Sequence, residues 1–306
     1  MSAHHMVGGS MVEAIGKRTG VDEGVGRTAL MVAAARAIEC GRPDALARDT
    51  YAEHFVRAAR AAADWPVHPD QVPGRDTDPL WGRLARFFGL RTRVFDDFLL
   101  ECAAAGAHQI VILGAGLDSR AYRLPWPPGR TVFEIDQEGV LAFKQAVLDS
   151  LDAEPKAVRR PIAVDMRLDW IGPLTAAGFD PARPTVWLAE GLVPYLPPDA
   201  ERNLIATIAA HSVAGSALCY EVKEGLKPAG EFGYPLHTVV RERIGVDLSA
   251  LFNAEPRPDS AADLAARGWT TTVRTPFDFT RQHGRGPLPE KDDTLAANRW
   301  VFASTP

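Results

Sequence analysis

Val111-Ile-Leu-Gly-Ala-Gly-Leu-Asp-Ser-Arg120 is an apolar run that breaks into two closely spaced glycines. The run suits a strand buried on both faces, and glycines at its carboxyl end let the backbone pass close to a ligand where a Cβ would collide. A tight strand-to-helix turn without a ligand uses the same residues, so Gly114 and Gly116 alone leave both readings open. Outward from this point, β-branched runs over 109–113, 131–135, 161–164, 185–189, 217–222, 270–274 and 299–303 predict seven strands, with helices near 138–152, 169–178 and 199–213. Strands alternating with helices build right-handed crossovers and a parallel sheet covered on both faces. The expected fold class is therefore α/β, a doubly wound, seven-stranded, mostly parallel sheet whose last two strands pair antiparallel.

Upstream of 109 the pattern is helical. Leu30, Ala33, Ala34, Ala37 and Ile38 recur at helical spacing in an Ala-rich stretch over 27–64, interrupted at Gly41-Arg42-Pro43-Asp44. A proline-rich connection over 65–79 precedes a further helical run over 80–105. Residues 1–105 thus read as an N-terminal helical prefix and 106–306 as the core. The segment 224–258, the longest between a strand and the next helix, reads as an insertion that caps a substrate.

Lys+Arg number 34 against Asp+Glu 39, a net charge of -5, with 46% apolar residues. That balance, without a basic block, lacks the footprint that neutralises a phosphate backbone, so no nucleic-acid partner is expected. Cys40, Cys102 and Cys219 are far apart and odd in number, which reads as free thiols in a reducing compartment. No apolar stretch approaches the length of a membrane span and residues 1–10 lack a signal-peptide pattern, so a cytoplasmic protein without a membrane partner is expected. His54, His68, His108, His211, His237 and His283 show no paired ligand spacing, and no metal is expected. Gly16-Lys17-Arg18 fails the phosphate-loop pattern, and there is no G-x-S-x-G nucleophile elbow.

The ends of the later strands carry the chemistry. Val132-Phe-Glu-Ile-Asp136 places a carboxylate 22 positions after Gly114, near the spacing of an acid that accepts hydrogen bonds from ribose hydroxyls. This favours a nucleoside pocket; the alternative is that Asp136 caps the helix that follows, and it could serve both purposes, while Glu134 is expected to point away. Ser119 stands where a dinucleotide fingerprint wants a third small residue, which weakens the case for a pyrophosphate. Asp165 and Met166, at the end of the third strand, suit an adenine amino group and ring face, or else a helix cap and a core filler. Glu190-Gly191, beside the first strand across the switch point, should face the reactive end of a ligand; the alternative is a solvated loop acid.

The runs LGAGLDSRAYRL (113–124), FEIDQ (133–137), VDMR (164–167) followed by DW, and WLAEGLVPYLP (187–197) resemble the S-adenosylmethionine-dependent methyltransferases of the leucine carboxyl methyltransferase-like family, especially its actinobacterial small-molecule branch. Thr28-Ala-Leu-Met-Val-Ala-Ala-Ala-Arg36, Arg91-Thr-Arg-Val-Phe-Asp-Asp97 and Arg299-Trp-Val-Phe extend the resemblance over nearly the whole chain. It implies a Rossmann-like class I methyltransferase fold and S-adenosyl-L-methionine as cofactor. It further implies that Arg91 pairs with the methionyl carboxylate, that Gly114 with its neighbour Gly116 lies under the methionyl portion, and that Asp136 holds the ribose. Asp165 and Met166 would then surround the adenine, and Glu190 would lie near the methionyl amine. Read without the resemblance, Arg91 is an exposed helix arginine.

The expected reaction is methyl transfer to an oxygen of a small molecule, a carboxylate that needs no catalytic base. A hydroxyl acceptor would need one, for which Tyr195, Tyr220 and His237 are the candidates. Tyr234 and Phe252, with Phe232, Leu236, His237 and Leu251, would form an apolar cap over the acceptor. Three alternatives stay open: a nicotinamide-dependent oxidoreductase, a non-catalytic nucleotide-binding module, and methylation of a protein C-terminus, which some members of the family carry out.

Overall fold

The computed structural model describes residues 24–225, 234–253 and 255–306. Seven strands form one sheet: β1 (Gln109–Leu113), β2 (Thr131–Asp136), β3 (Val158–Ala163), β4 (Thr185–Ala189), β5 (Ala217–Lys223), β6 (Thr270–Arg274) and β7 (Asn298–Ser304). Their order is β3-β2-β1-β4-β5-β7-β6, with the first five parallel and β7 antiparallel to both β5 and β6. The helices are α1 (Gly24–Cys40), α2 (Ala52–Ala58), α3 (Trp81–Ala104), α4 (Arg120–Arg123), α5 (Glu138–Ser150), α6 (Ile171–Ala176), α7 (Pro198–Ala210), α8 (Pro235–Ile244), α9 (Leu248–Leu251), α10 (Ser260–Ala266) and α11 (Pro276–His283).

Strand alternation sorts the core into two layers. Ile110, Ile112, Val132, Val186, Leu188 and Cys219 point to the face covered by α1, α3 and α5. Val111, Phe133, Ile135, Trp187, Leu218 and Tyr220 point to the face covered by α6, α7 and α10. All of β1 is buried, which explains why its sequence after Gln109 is continuously apolar rather than alternating. Because α1 and α3 pack on each other and α3 packs on β4 and β5, the helical prefix covers the sheet directly.

Two expectations are corrected. The third strand begins at Val158, not Pro161; proline lacks a ladder donor and reads as a strand start, but β3 is an edge strand, where an interior proline is tolerated. Glu134 does not point to the opposite face from Asp136. Two residues apart, both lie on the α5 side, with Glu134 fully buried one pleat deeper and Oε2 at 2.8 Å from both Lys144 Nζ and Arg159 Nη2.

The inserted strand β7 is held by aromatic packing. Trp300 is fully buried, with its ring 5.5 Å from Phe95, 5.3 Å from Phe279 and 6.0 Å from Phe87, between centres. Trp300→Ala is expected to lower the unfolding free energy by about 3 to 5 kcal/mol, the range for an aromatic-to-alanine core cavity. Urea unfolding would measure it, and a loss below about 1 kcal/mol would show that β7 is held by its ladder alone.

Candidate active site

A cavity of about 590 Å³ opens at the carboxyl ends of β1, β2, β4 and β5, where the strand order reverses about β1. That is the position at which open α/β sheets bind ligands, and the volume falls within the range of small-molecule sites. Gly114 and Gly116 form its floor, both left-handed with φ of 65° and 47°. At Gly114 a side chain would be strained twice, since its Cβ would also stand 3.2 Å from Leu192 Cδ1.

Asp136 faces this turn. Its Oδ2 accepts the Gly116 N–H at 2.6 Å and its Oδ1 accepts the Gln137 N–H at 2.7 Å. The capping residue of α5 is Gln137, so Asp136 is not the helix cap that the sequence left open. Burial raises its carboxyl above the ordinary value, although the two backbone bonds oppose this. Each oxygen retains acceptor capacity toward the cavity.

Asp165 and Met166 line the cavity in the turn after β3. Asp165 is held by Arg167, whose Nε lies 2.9 Å from Oδ1, and these bonds lower its carboxyl. It caps no helix, because α6 begins later, with Trp170 as its capping residue.

The opposite wall is built from charge. Arg91 on α3 is buried, not an exposed helix arginine: Nε lies 2.9 Å from Glu190 Oε1 and Nη1 2.5 Å from Glu221 Oε1. Its guanidinium carbon also sits 4.6 Å from the centre of the Phe88 ring. Glu190 is not a solvated acid either, since Oε2 lies 2.7 Å from Arg120 Nη1. Burial alone would raise its carboxyl, yet Arg120 and then Arg91 hold it at about 2. Arg120 is fully buried against Asp118 and Asp96, with Nε 2.7 Å from Asp96 Oδ1. Both oxygens of Glu190 are thus held by charge, Oε1 by Arg91 and Oε2 by Arg120.

The three base candidates separate. Tyr220 points to the α10 face of β5, away from the cavity, and its hydroxyl donates to Ser260 Oγ at 2.9 Å. The reason is strand parity: Cys219, Glu221 and Lys223 share the α3 side and Tyr220 does not. Tyr195 lines the cavity, but burial raises its phenol further from neutrality. His237 also lines it, with Nδ1 2.9 Å from Ser249 Oγ and Nε2 3.1 Å from Thr294 Oγ1. Burial, and then the charge of Lys223, lowers its imidazole to about 4.

Of the cap residues, Phe252 lines the cavity and stacks on Tyr195 with 5.2 Å between ring centres. Leu236 lines it as well. Tyr234 precedes α8 as its capping residue and its ring packs on His237, 5.2 Å between centres, so it stands behind a residue that lines the cavity. Phe232 and Gly16-Lys17-Arg18 lie outside the described residues.

The lining residues missed from the sequence include Asp118, Glu221, Lys223 and Asn298. Glu221 and Lys223 carried a signal, two charges at alternate positions of an otherwise apolar strand, on the side that faces the cavity. Arg120, which supports Glu190, carried only its place in the glycine turn.

This geometry can be set beside known proteins. The profile of the leucine carboxyl methyltransferase family matches residues 29–209. A Streptomyces coelicolor protein, named as a candidate S-adenosyl-L-methionine-dependent methyltransferase, is 62% identical over 291 residues, covering 94% of this chain and 96% of its own. One of the same description from Saccharopolyspora erythraea is 44% identical over 274 residues, 90% of this chain and 93% of its own. Among solved structures, a DUF574 family protein from Streptomyces avermitilis superposes with a TM-score of 0.51 at 14% identity, covering 87% of this chain and 100% of that one. At that identity the likeness speaks for the fold alone. The family match and the near-full-length relatives decide against the nicotinamide-dependent oxidoreductase, and this chain belongs to the leucine carboxyl methyltransferase family of S-adenosyl-L-methionine-dependent methyltransferases.

Proposed function

We propose that this protein methylates a carboxylate oxygen of a small, largely apolar organic acid. The observation that carries the reading is the state of Tyr195 and His237, the base candidates named from the sequence that face the cavity. Tyr195 is pushed away from neutrality by burial, and His237 is engaged at both nitrogens and lowered to about 4. A hydroxyl acceptor would need a base there, whereas a carboxylate arrives as an anion and needs only alignment and a dry site. Leu236, Leu248, Phe252 and Met31 supply apolar walls for such a site.

The bound cofactor supplies a methyl on a cationic sulfur, transferred in line so that the O–C bond forms as the C–S bond breaks and its electron pair returns to sulfur. Asp136 takes the ribose hydroxyls, its orientation fixed by the Gly116 and Gln137 amides. Asp165 and Met166 receive the adenine edge and face. Glu190, kept ionised by Arg120 and Arg91, accepts the methionyl ammonium. Arg91, with Nε turned to Glu190 and Nη1 to Glu221, meets the methionyl carboxylate through its remaining edge around Nη2, not through a full two-bond fork. The helical prefix acts with the core, because Arg91, Phe88 and Thr28 all reach the cavity from it. Within the segment over 224–258, Leu236, Leu248 and Phe252 act as the acceptor cap.

The direct test is to incubate the protein with methyl-labelled S-adenosylmethionine and a panel of small acids, alcohols and phenols. A methyl ester releases its label as methanol in mild alkali and an ether does not, so alkali-stable product would sink the carboxylate reading. Label on a protein C-terminus would move the acceptor to that class. Cofactor binding without labelled product from any acceptor would leave a binding module.

Asp136→Ala is expected to weaken cofactor binding by about 1.5 to 3 kcal/mol by calorimetry, the range for hydrogen bonds to a charged group. An unchanged affinity would remove Asp136 from the ribose. Arg91→Lys should lose at least about tenfold in cofactor affinity even where the fold survives, because an ammonium cannot reach Glu190, Glu221 and a ligand carboxylate in one plane; retained affinity would place Arg91 in a purely structural role. Phe252→Ala should raise the acceptor KM and leave cofactor binding intact, and a joint loss of cofactor binding and stability would make the cap a packing element.

A further inference from the structure

β5 delivers two charges to the cavity, and they differ in their company. Glu221 is matched by Arg91 at 2.5 Å, and its other oxygen accepts the Trp300 indole N–H at 3.3 Å. Lys223, two residues further toward the open end of the strand, is 8% exposed and lines the same cavity. Among the described residues no carboxylate comes within 4.0 Å of its ammonium, which instead lies 5.0 Å from the centre of the Phe252 ring. The other cations along the wall have partners: Arg36 is 3.3 Å from Asp49, Arg91 is held between Glu190 and Glu221, and Arg167 is 2.5 Å from Asp165. One buried positive charge is thus left facing the open space. An ammonium removed from water costs several kcal/mol unless a counter-charge meets it. The aromatic face offsets part of that cost, and an anionic ligand would offset the rest.

Its position selects which ligand. At about 3.3 Å of rise per residue, Lys223 stands roughly 7 Å beyond Glu221 along the strand, away from the Arg91–Glu190 pair and toward Phe252 and His237. We infer that Lys223 is the acceptor anchor: it pairs with one oxygen of the substrate carboxylate, so that the preferred acceptors are small carboxylic acids whose apolar body lies against Phe252, Leu236 and Leu248. The inference rests on the methyltransferase reading of the cavity and adds the residue that selects the substrate class. While one carboxylate oxygen is held by the ammonium, a lone pair of the other forms the bond to the methyl carbon and the C–S pair leaves with sulfur. The product ester is neutral and no longer matches the charge. Burial lowers the ammonium to about 8, with Glu221 and Asp293 opposing and Arg91 adding to the effect, and His237 is the further titratable group beside it. At neutral pH Lys223 is thus predominantly charged, and a bound anion would keep it so.

The test uses the full chain saturated with S-adenosylhomocysteine, titrated with benzoate, 3-phenylpropanoate and hexanoate and with the matching primary amides. The wild type should bind at least one acid about tenfold more tightly than its amide. Lys223→Met should abolish that preference while S-adenosylhomocysteine affinity stays within about twofold, and Lys223→Arg should restore part of it. Lys223→Gln is measured alongside, so that a poorly folding methionine variant does not leave the question open. Equal binding of acids and amides by the wild type overturns the inference, as does a preference that survives in the uncharged variants. A tenfold loss of S-adenosylhomocysteine affinity in those variants would assign Lys223 to the cofactor and also overturns it. Failure of the methyltransferase reading itself looks different: the wild type would bind neither S-adenosylmethionine nor S-adenosylhomocysteine.

Discussion

The alternating chain of buried charges Asp118–Arg120–Glu190–Arg91–Glu221 is the constraint on which the cavity at the carboxyl ends of the strands depends. It joins the turn after β1, the end of β4, helix α3 and the end of β5, four elements that are distant in sequence. Taken singly, each of these groups is expensive to bury, and such a pair is often no more stabilising than apolar residues of the same volume. Their alternation changes the balance, because each guanidinium is flanked by carboxylates and each inner carboxylate by guanidinia. Removing either arginine would leave an outer carboxylate without its guanidinium, Asp118 without Arg120 or Glu221 without Arg91, at about 3 to 5 kcal/mol for a broken buried pair. Such a row gives a wall whose charges are already oriented before a ligand arrives, so little reorganisation is left for the binding step.

The fold was legible because its signal is local. β1, β4 and β6 have the bounds their β-branched runs suggested, and the glycine turn announced the switch point. Where the reading slipped, the cause was a rule applied without its context. Pro161 looked like a strand start because the sequence does not say which strand is at the edge. Tyr220 looked available because the covered face of β5 is decided by α10, a helix more than thirty residues later.

The site was legible in part for the same reason. Gly114, Asp136, Asp165 and Glu190 follow directly from strand ends and could be named from the pattern of a doubly wound sheet. Arg91 could not, since its burial depends on α3 lying across β4 and β5, and only the family resemblance singled it out. Lys223 went unnoticed because a terminal lysine on a strand ordinarily reaches water. Its ammonium lies 5.0 Å from the centre of the Phe252 ring, whose approach to the end of β5 no short-range pattern encodes.

The place of β7 in the sheet sets an order of events during synthesis. β7 is made after β6 yet lies between β6 and β5, so β6 has no neighbouring edge to join until residues 298–304 have left the ribosome. Until then the edge of β5 carrying Glu221 and Lys223 is unpaired, and Glu221 lacks the Trp300 donor. The cavity of a nascent chain is therefore incomplete however long the preceding segments have had to fold, and the exposed β5 edge offers its unpaired backbone groups to other strands in the meantime.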